Sequence, residues 1–480
     1  MMAMTLKHSS PEAQGVPSGQ IESFIRALSR VPQLHGLVVV RHGAVIADAA
    51  WRPYRRDVPH MLYSLSKSFA STAVGLAVHE GLLSVDDRVL DHFPDDAPKK
   101  PSAHLEAMRV RHLLSMSTGH AEDATEATMR SRTQPYRAFL RIPVVHEPGT
   151  HFVYNSAATF MLAAIVQRLT GQTLVDYLTP RLFEPLGIES PVWESHPNGV
   201  NFGGWGLYLR AMDIAKFGQL YLQRGKWGRS QLIPRDWITE ATRTQVDNGS
   251  DPRSDWNQGY GYQFWRCRHN CYRGDGAFGQ YCIVMPDQDA VVAITSGVAS
   301  MQAVLDVVWK KLLPAFGSAP LPADTVAEQK AQKLIDGLAA KPVSGTVRAA
   351  IEEEVTGRTY TFEPNHAKLH SISLDFANST FTYRLLSGGA GRGRRSIGFG
   401  RNRWVEGTSV LGRPCEYPAA ASGAWTSERR FELSICQLDT PHTLTFGFTF
   451  DGDTVRVDQS VNVSFGPKET QTLTGQAALR

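Results

Sequence analysis

Two residues three apart, Ser64 and Lys67, open the run SLSKSFASTAVGLAVH, which is small and apolar nearly all round as far as His79. Positions three apart on a helix share a face about one turn apart, so the Lys67 amine can reach the Ser64 hydroxyl. Three effects favour a nucleophile at that place. Burial lowers a lysine pKa, a helix N-terminus disfavours a nearby cation, and the same dipole stabilises negative charge developing on the serine. A lysine made neutral in this way is a base. S-x-x-K alone recurs by chance on the order of once per few hundred residues. A lysine in the first turn of an apolar helix, however, is poorly placed for solvent and costly without a role.

A second group lies in PGTHFVYNSAATFMLAAIVQRLTG, where Tyr154, Asn155 and Ser156 directly precede a helix expected from Ala157 to Leu169. A phenol beside a cationic amine should have a depressed pKa and can relay a proton to a leaving group. The plain alternative is a packed aromatic. A third group is the glycine-rich turn Gly274, Asp275, Gly276 and Ala277, ahead of Gln280, itself a candidate for substrate contact, and Tyr281. Backbone without side chains can run close to a substrate, and an N–H of Gly276 or Ala277 would complete an oxyanion hole with that of Ser64. A simple hairpin turn reads equally from the same residues. Trp205, in NFGGWGLYLRAMDIAKFG, and His120, in GHAEDATEATMRSRTQPY, are candidates for substrate contact. Core packing for the tryptophan and a turn role for the histidine are the bland alternatives.

The elements that must hold these groups follow from periodicity. GLVVVRHGAVIADAAW predicts a hairpin turning at His42 and Gly43. Apolar helices are expected from Ser64 to His79 and after Asp213, with Ile214, Phe217 and Tyr221 inward. Short strands are expected in YGYQFWRC, QYCIVMP and DAVVAIT, separated by the turn RGDGAFG, and a final amphipathic helix from Met301 to Leu313. Hairpin, helices, strands and a closing helix make an α+β fold with an antiparallel sheet. Proline and glycine at 314–322 mark a domain exit. The expected organisation is a hydrolase domain over 1–316, a linker with a helix over 317–342, and a β-rich domain, a small barrel or sandwich, over 343–480.

Ser64-Leu65-Ser66-Lys67, then Tyr154-Asn155-Ser156, then Gly274-Asp275-Gly276 occur in an order that resembles the class C β-lactamase and penicillin-binding-protein-like serine hydrolases. That family includes esterases, D-amino-acid peptidases and aminohexanoate-oligomer hydrolases, and the resemblance covers about Ser10 to Phe316. It implies a β-lactamase-like sheet with a helical region, and S-x-x-K chemistry at Ser64 and Lys67. Two positions depart from it. Ser156 stands where the family's Y-x-N has asparagine, and Gly274 stands where β-lactamases carry the cation of K-T-G or H-x-G. Both departures count against a β-lactam substrate.

The function expected is hydrolysis of a small-molecule ester or amide through an acyl-enzyme on Ser64, with Lys67 and Tyr154 as general base and acid. The alternatives are a β-lactamase or D-amino-acid peptidase, or a non-catalytic binding module on the same fold. The chemistry needs no cofactor. Cys267, His269 and Cys271 cluster without a fourth ligand, so no metal is expected, and five sparse cysteines argue for free thiols. With 50 basic and 46 acidic residues, net charge +4, the chain suggests neither a nucleic-acid nor a membrane partner. The N-terminal residues lack an apolar core of signal-peptide length, so a cytoplasmic location is expected; oligomeric state is left open. The β-rich domain is expected to supply no catalytic side chain. If it did, the glycine and arginine segment from Gly388 to Arg403 would be the part to reach the cleft.

Overall fold

The first hairpin forms where β-branched residues flank two left-handed positions. Helix α1 (Ser18–Leu28) leads into strands β1 (Leu34–Arg41) and β2 (Ala44–Ala50), joined at His42 and Gly43 with φ of 47° and 75°. Two positive φ values in succession match the twist of antiparallel strands. Helices α2 (Ser66–His79), α3 (Ser156–Thr170) and α4 (Ala211–Leu222) follow, then strands β3 (Tyr272–Gly276), β4 (Gln280–Met285) and β5 (Ala290–Ser296) and helix α5 (Met301–Val307). In the computed structural model, which describes residues 5–386, 393–469 and 472–478, these strands form one sheet. Its order is Lys7–His8, β2, β1, β5, β4, β3, Trp265–Arg266.

The central strands are apolar on both faces because the sheet is covered on both. On β1, Val38 and Val40 join one core with Ile214, Phe217 and Tyr221 of α4, while Leu37 and Val39 join another with Phe24 and Ile25 of α1 and Val304 of α5. Alternation along a strand sends neighbours to opposite faces, so one run of valines and leucine feeds two cores. Helix α2 lies deep in the first core, with every residue from Ser66 to Ala77 buried. This is the β-lactamase-like α+β fold that the sequence predicts.

Three local expectations are corrected. The helix expected to begin at Ser64 begins at Ser66; Tyr63–Leu65 forms a single 3-10 turn before it. Tyr63 sits at φ 48°, outside helical space, so the chain bends sharply into Ser64 instead of flowing into it. The segment read as a glycine-rich turn is mostly strand, since Tyr272–Gly276 is β3 and only 277–279 turn. Of YGYQFWRC, only Trp265–Arg266 pair as strand; Gln263, at φ 66°, leaves the ladder to donate from Nε2 to the carbonyls of Leu113 and Leu114.

Beyond the sheet domain, helix α6 (Thr325–Asp336) lies on α1, with Ala331, Ile335 and the following Leu338 buried. An eleven-stranded, almost wholly antiparallel sheet between Thr359 and Ala477 then curls into a near-barrel around Phe381, Trp425, Phe431, Phe446 and Phe448. Within the segment from Gly388 to Arg403, residues 388–392, Arg392 among them, lie outside the described residues. The remainder forms edge strands, and Arg401 pairs with Glu352 at 2.6 Å. The barrel meets the sheet domain elsewhere: Met61 N donates to Asp439 O at 2.8 Å, and Asn462 Nδ2 to Gly297 O at 3.1 Å. All five cysteines are unpaired thiols. Among the described residues no helix is long and apolar enough to cross a membrane.

Candidate active site

Ser64 lies half-buried at the mouth of the α2 helix, and Lys67, one turn on and 1% exposed, points its amine back at it. Lys67 Nζ donates at 3.0 Å to Ser64 Oγ, at 2.9 Å to Ser156 Oγ and at 2.8 Å to Gly204 O. Burial pulls the lysine down to about 7, against the opposing pull of Asp123 and Asp275. Desolvation penalises the ammonium, and two neutral hydroxyls and a carbonyl only partly replace its water shell. Burial therefore favours the neutral amine, the state in which it can take a proton from Ser64.

Ser156 begins α3, and the hydroxyl that stands in place of the asparagine of Y-x-N is the one facing Lys67. Asn155 does not face the cleft. It is fully buried and caps α3, accepting from Ala157 N at 3.1 Å. That capping satisfies an N–H the helix itself cannot bond. Tyr154 lies with its ring 4.9 Å from Lys67 Nζ, stacked on Trp265 at 5.3 Å, and its hydroxyl is turned toward Ser64. The expectation of a depressed phenol pKa is overturned. Burial, reinforced by the Asp275 carboxylate, pushes Tyr154 well above its ordinary value, so the phenol stays protonated and is poised to give a proton.

Strand β3 runs along the turn that carries Ser64. A Cβ on Gly276 would lie 2.0 Å from Leu62 O and 3.1 Å from Ser64 N; one on Gly274 would lie 2.4 Å from Leu65 and 2.5 Å from Ser68 Oγ. Position 276 demands glycine because its neighbours are backbone, whereas a side chain at 274 would have to displace the buried ends of Leu65 and Ser68. Ala277 follows at the strand end, half-buried. Gln280 is no substrate contact in this arrangement: fully buried, it donates to Ala277 O at 3.0 Å and Ser296 O at 2.7 Å and so clamps the hairpin. Asp275 turns to the other side, where burial raises its pKa against the pull of the fully buried Arg273, whose Nε donates to it at 2.9 Å.

Trp205 is half-buried beside Gly204, stacked on Phe202 at 4.5 Å, so it stands next to the carbonyl that holds Lys67. His120 is corrected. It is 1% exposed, its Nδ1 lies 2.8 Å from Thr118 Oγ1, its ring meets Phe139 edge-on, and burial pulls its pKa down to about 4. It is a core residue.

Sequence reasoning missed four participants. Gly204 was inside a run singled out only for Trp205. Phe278, at φ 65° in the β3–β4 turn, sat unremarked in RGDGAFG. The other two, His442 and Phe465, come from the barrel. His442 Nδ1 donates to Val463 O at 3.2 Å, which leaves Nε2 to accept from Tyr63 OH at 2.8 Å. Thus a residue 379 positions away is hydrogen-bonded to the neighbour of Ser64. No local pattern could have shown it. Between the domains beside Tyr63 lies a cleft of about 420 Å³ that Glu194, Tyr208, Arg413 and His442 help to line.

The family model described as Beta-lactamase matches residues 21–304. The 6-aminohexanoate-dimer hydrolase of Paenarthrobacter ureafaciens is 25% identical over 279 residues, 53% of this chain and 70% of that one. Esterase EstB of Burkholderia gladioli is 24% identical over 288 residues, 47% of this chain and 72% of that one. The solved structure of an octameric penicillin-binding protein homologue from Pyrococcus abyssi superposes with a TM-score of 0.51 at 18% identity, covering 95% of this chain and 99% of that one. At that identity the likeness speaks for the fold, here including the part beyond residue 316.

Proposed function

The chain belongs to the beta-lactamase family and is a serine hydrolase; from that premise we propose that Ser64 is its nucleophile, Lys67 the base and Tyr154 the acid, acting on an ester or amide carbonyl. Neutral Lys67 takes the Ser64 proton as Oγ attacks the carbonyl carbon. The N–H groups of Ser64 and Ala277 hold the oxyanion. Collapse expels the leaving alcohol or amine, which takes its proton from Tyr154, and Lys67 returns the serine's proton to the phenol. In deacylation water attacks the acyl carbon while the same pair accepts its proton, and Ser64 leaves reprotonated.

The observation that carries this reading is the 3.0 Å contact of Lys67 Nζ with Ser64 Oγ, made by an amine that burial brings down to about 7. The ester and amide relatives support the reaction class, and a carbonyl substrate of either kind fits a site without a built-in cation at Gly274. The test is labelling by a fluorophosphonate probe together with turnover of a p-nitrophenyl ester. Ser64→Ala should lose both. Labelling at another residue, with hydrolysis retained, would overturn the assignment.

A further inference from the structure

Phe465 is 80% exposed, yet it is not a frayed side chain. Its loop is tied down on both sides of Asn462, whose Nδ2 donates to Gly297 O at 3.1 Å and Pro441 O at 2.8 Å and whose Oδ1 accepts from Thr443 N at 2.7 Å. Val463 next to it is buried and its carbonyl accepts from His442. So held, the Phe465 ring meets Phe278 at 4.9 Å and Tyr63 at 5.9 Å, and Phe278 meets Tyr63 edge-on at 5.4 Å. Tyr63 is bonded directly to Ser64, and Phe278 directly to Ala277. An apolar patch, contributed by both domains, therefore sits one residue from the nucleophile and one residue from the proposed oxyanion donor.

We propose that Tyr63, Phe278 and Phe465 form a substrate subsite for an apolar group, a medium-length alkyl chain or an aryl ring, attached next to the scissile carbonyl. The inference rests on the assignment of Ser64 as nucleophile. Exposed aromatic surface is unfavourable in water and is normally buried when it can be. A substrate held at Ser64 brings its own apolar surface next to the patch, whose three rings meet at mutual angles of 45° to 89°. Substrate is favoured over a second copy of the chain as the occupant because the patch adjoins the reacting groups. The barrel then serves as a wall that selects which substrates acylate Ser64.

The full-length protein is tested with two ester series, one lengthening the acyl chain from acetyl to hexanoyl at constant p-nitrophenol, the other lengthening the alcohol at constant acetyl. For Phe465→Ala the ratio of kcat/KM for the longest to the shortest member should fall about tenfold in one series. That is the low end of what a methylene does in an apolar pocket, as expected for one wall of an open patch. Phe465→Leu should retain most of the ratio, and Val326→Ala, an exposed apolar residue on α6, should leave it untouched. Fluorophosphonate labelling of Ser64 in each variant keeps the two proposals apart: failure to label Ser64 in the native protein defeats the nucleophile assignment. Ratios unchanged in both series with Ser64 still labelled overturn the subsite, and so does a change confined to oligomer mass, which would make the patch a contact between copies.

Discussion

Replacing Lys67 by methionine separates the base from the charge it carries. In the folded protein burial brings the amine from an ordinary 10.5 to about 7. A lysine whose folded pKa is depressed carries no penalty above its unfolded pKa. As pH falls the unfolded chain takes up the proton first, so a penalty grows between 10.5 and 7 and is constant below that. Native stability therefore rises with pH across this window, whereas a methionine titrates nothing. Between pH 7 and pH 9 the difference in stability between Lys67→Met and the native protein should shrink by two units at about 1.4 kcal/mol each, or ~3 kcal/mol, in favour of the variant at the lower pH. Lost hydrogen bonds to Ser64, Ser156 and Gly204 add a constant that leaves this slope alone. Denaturant unfolding at pH 6, 7, 8 and 9 measures it. A difference that stays flat to within about 0.5 kcal/mol over that range would mean the amine is protonated in the fold throughout, and the reasoning for a neutral base would fail.

Four further outcomes are expected. In the native enzyme kcat/KM should rise with pH through about 7 as Lys67 loses its proton and then stay level to at least pH 9, because Tyr154 remains protonated; a bell closing below pH 9 would contradict the raised phenol. Tyr154→Phe should lower kcat by about 10²–10⁴-fold, the usual contribution of a positioned acid, with the stacked ring on Trp265 kept. Tyr63→Phe and His442→Ala should each slow fluorophosphonate labelling, and the double variant should lose no more than either alone, since both break one hydrogen bond; by the same token a soluble chain ending near Lys341 should label at least tenfold more slowly. Nitrocefin should be a poor substrate on kcat/KM beside a short-chain ester, because Gly274 abuts Leu65 and Ser68 and offers a β-lactam carboxylate no partner; efficient turnover would refute that.

What the sequence determined by itself was chiefly what local periodicity and short spacing encode. The hairpin at His42 and Gly43, the helices that carry Lys67 and Ser156, the strands β4 and β5, the barrel-forming alternation after 343, and the pairing of Ser64 with Lys67 all lie within about one turn or one hairpin of their determinants. Tertiary structure decided the rest. It made β3 out of a glycine run that reads as a turn, and its packing, Gly276 on Leu62 and Ser64 and Gly274 on Leu65 and Ser68, explains the missing side chains. It buried His120 and Gln280 and turned Asn155 into a helix cap, since polarity in a sequence does not say whether a partner is solvent, substrate or backbone. It reversed the sign of the Tyr154 shift, because desolvation and Asp275 outweigh any cation nearby. And it brought His442 and Phe465 to the residues flanking Ser64 and Ala277, a meeting across hundreds of positions that depends on how two separately encoded cores dock and on nothing written near either residue.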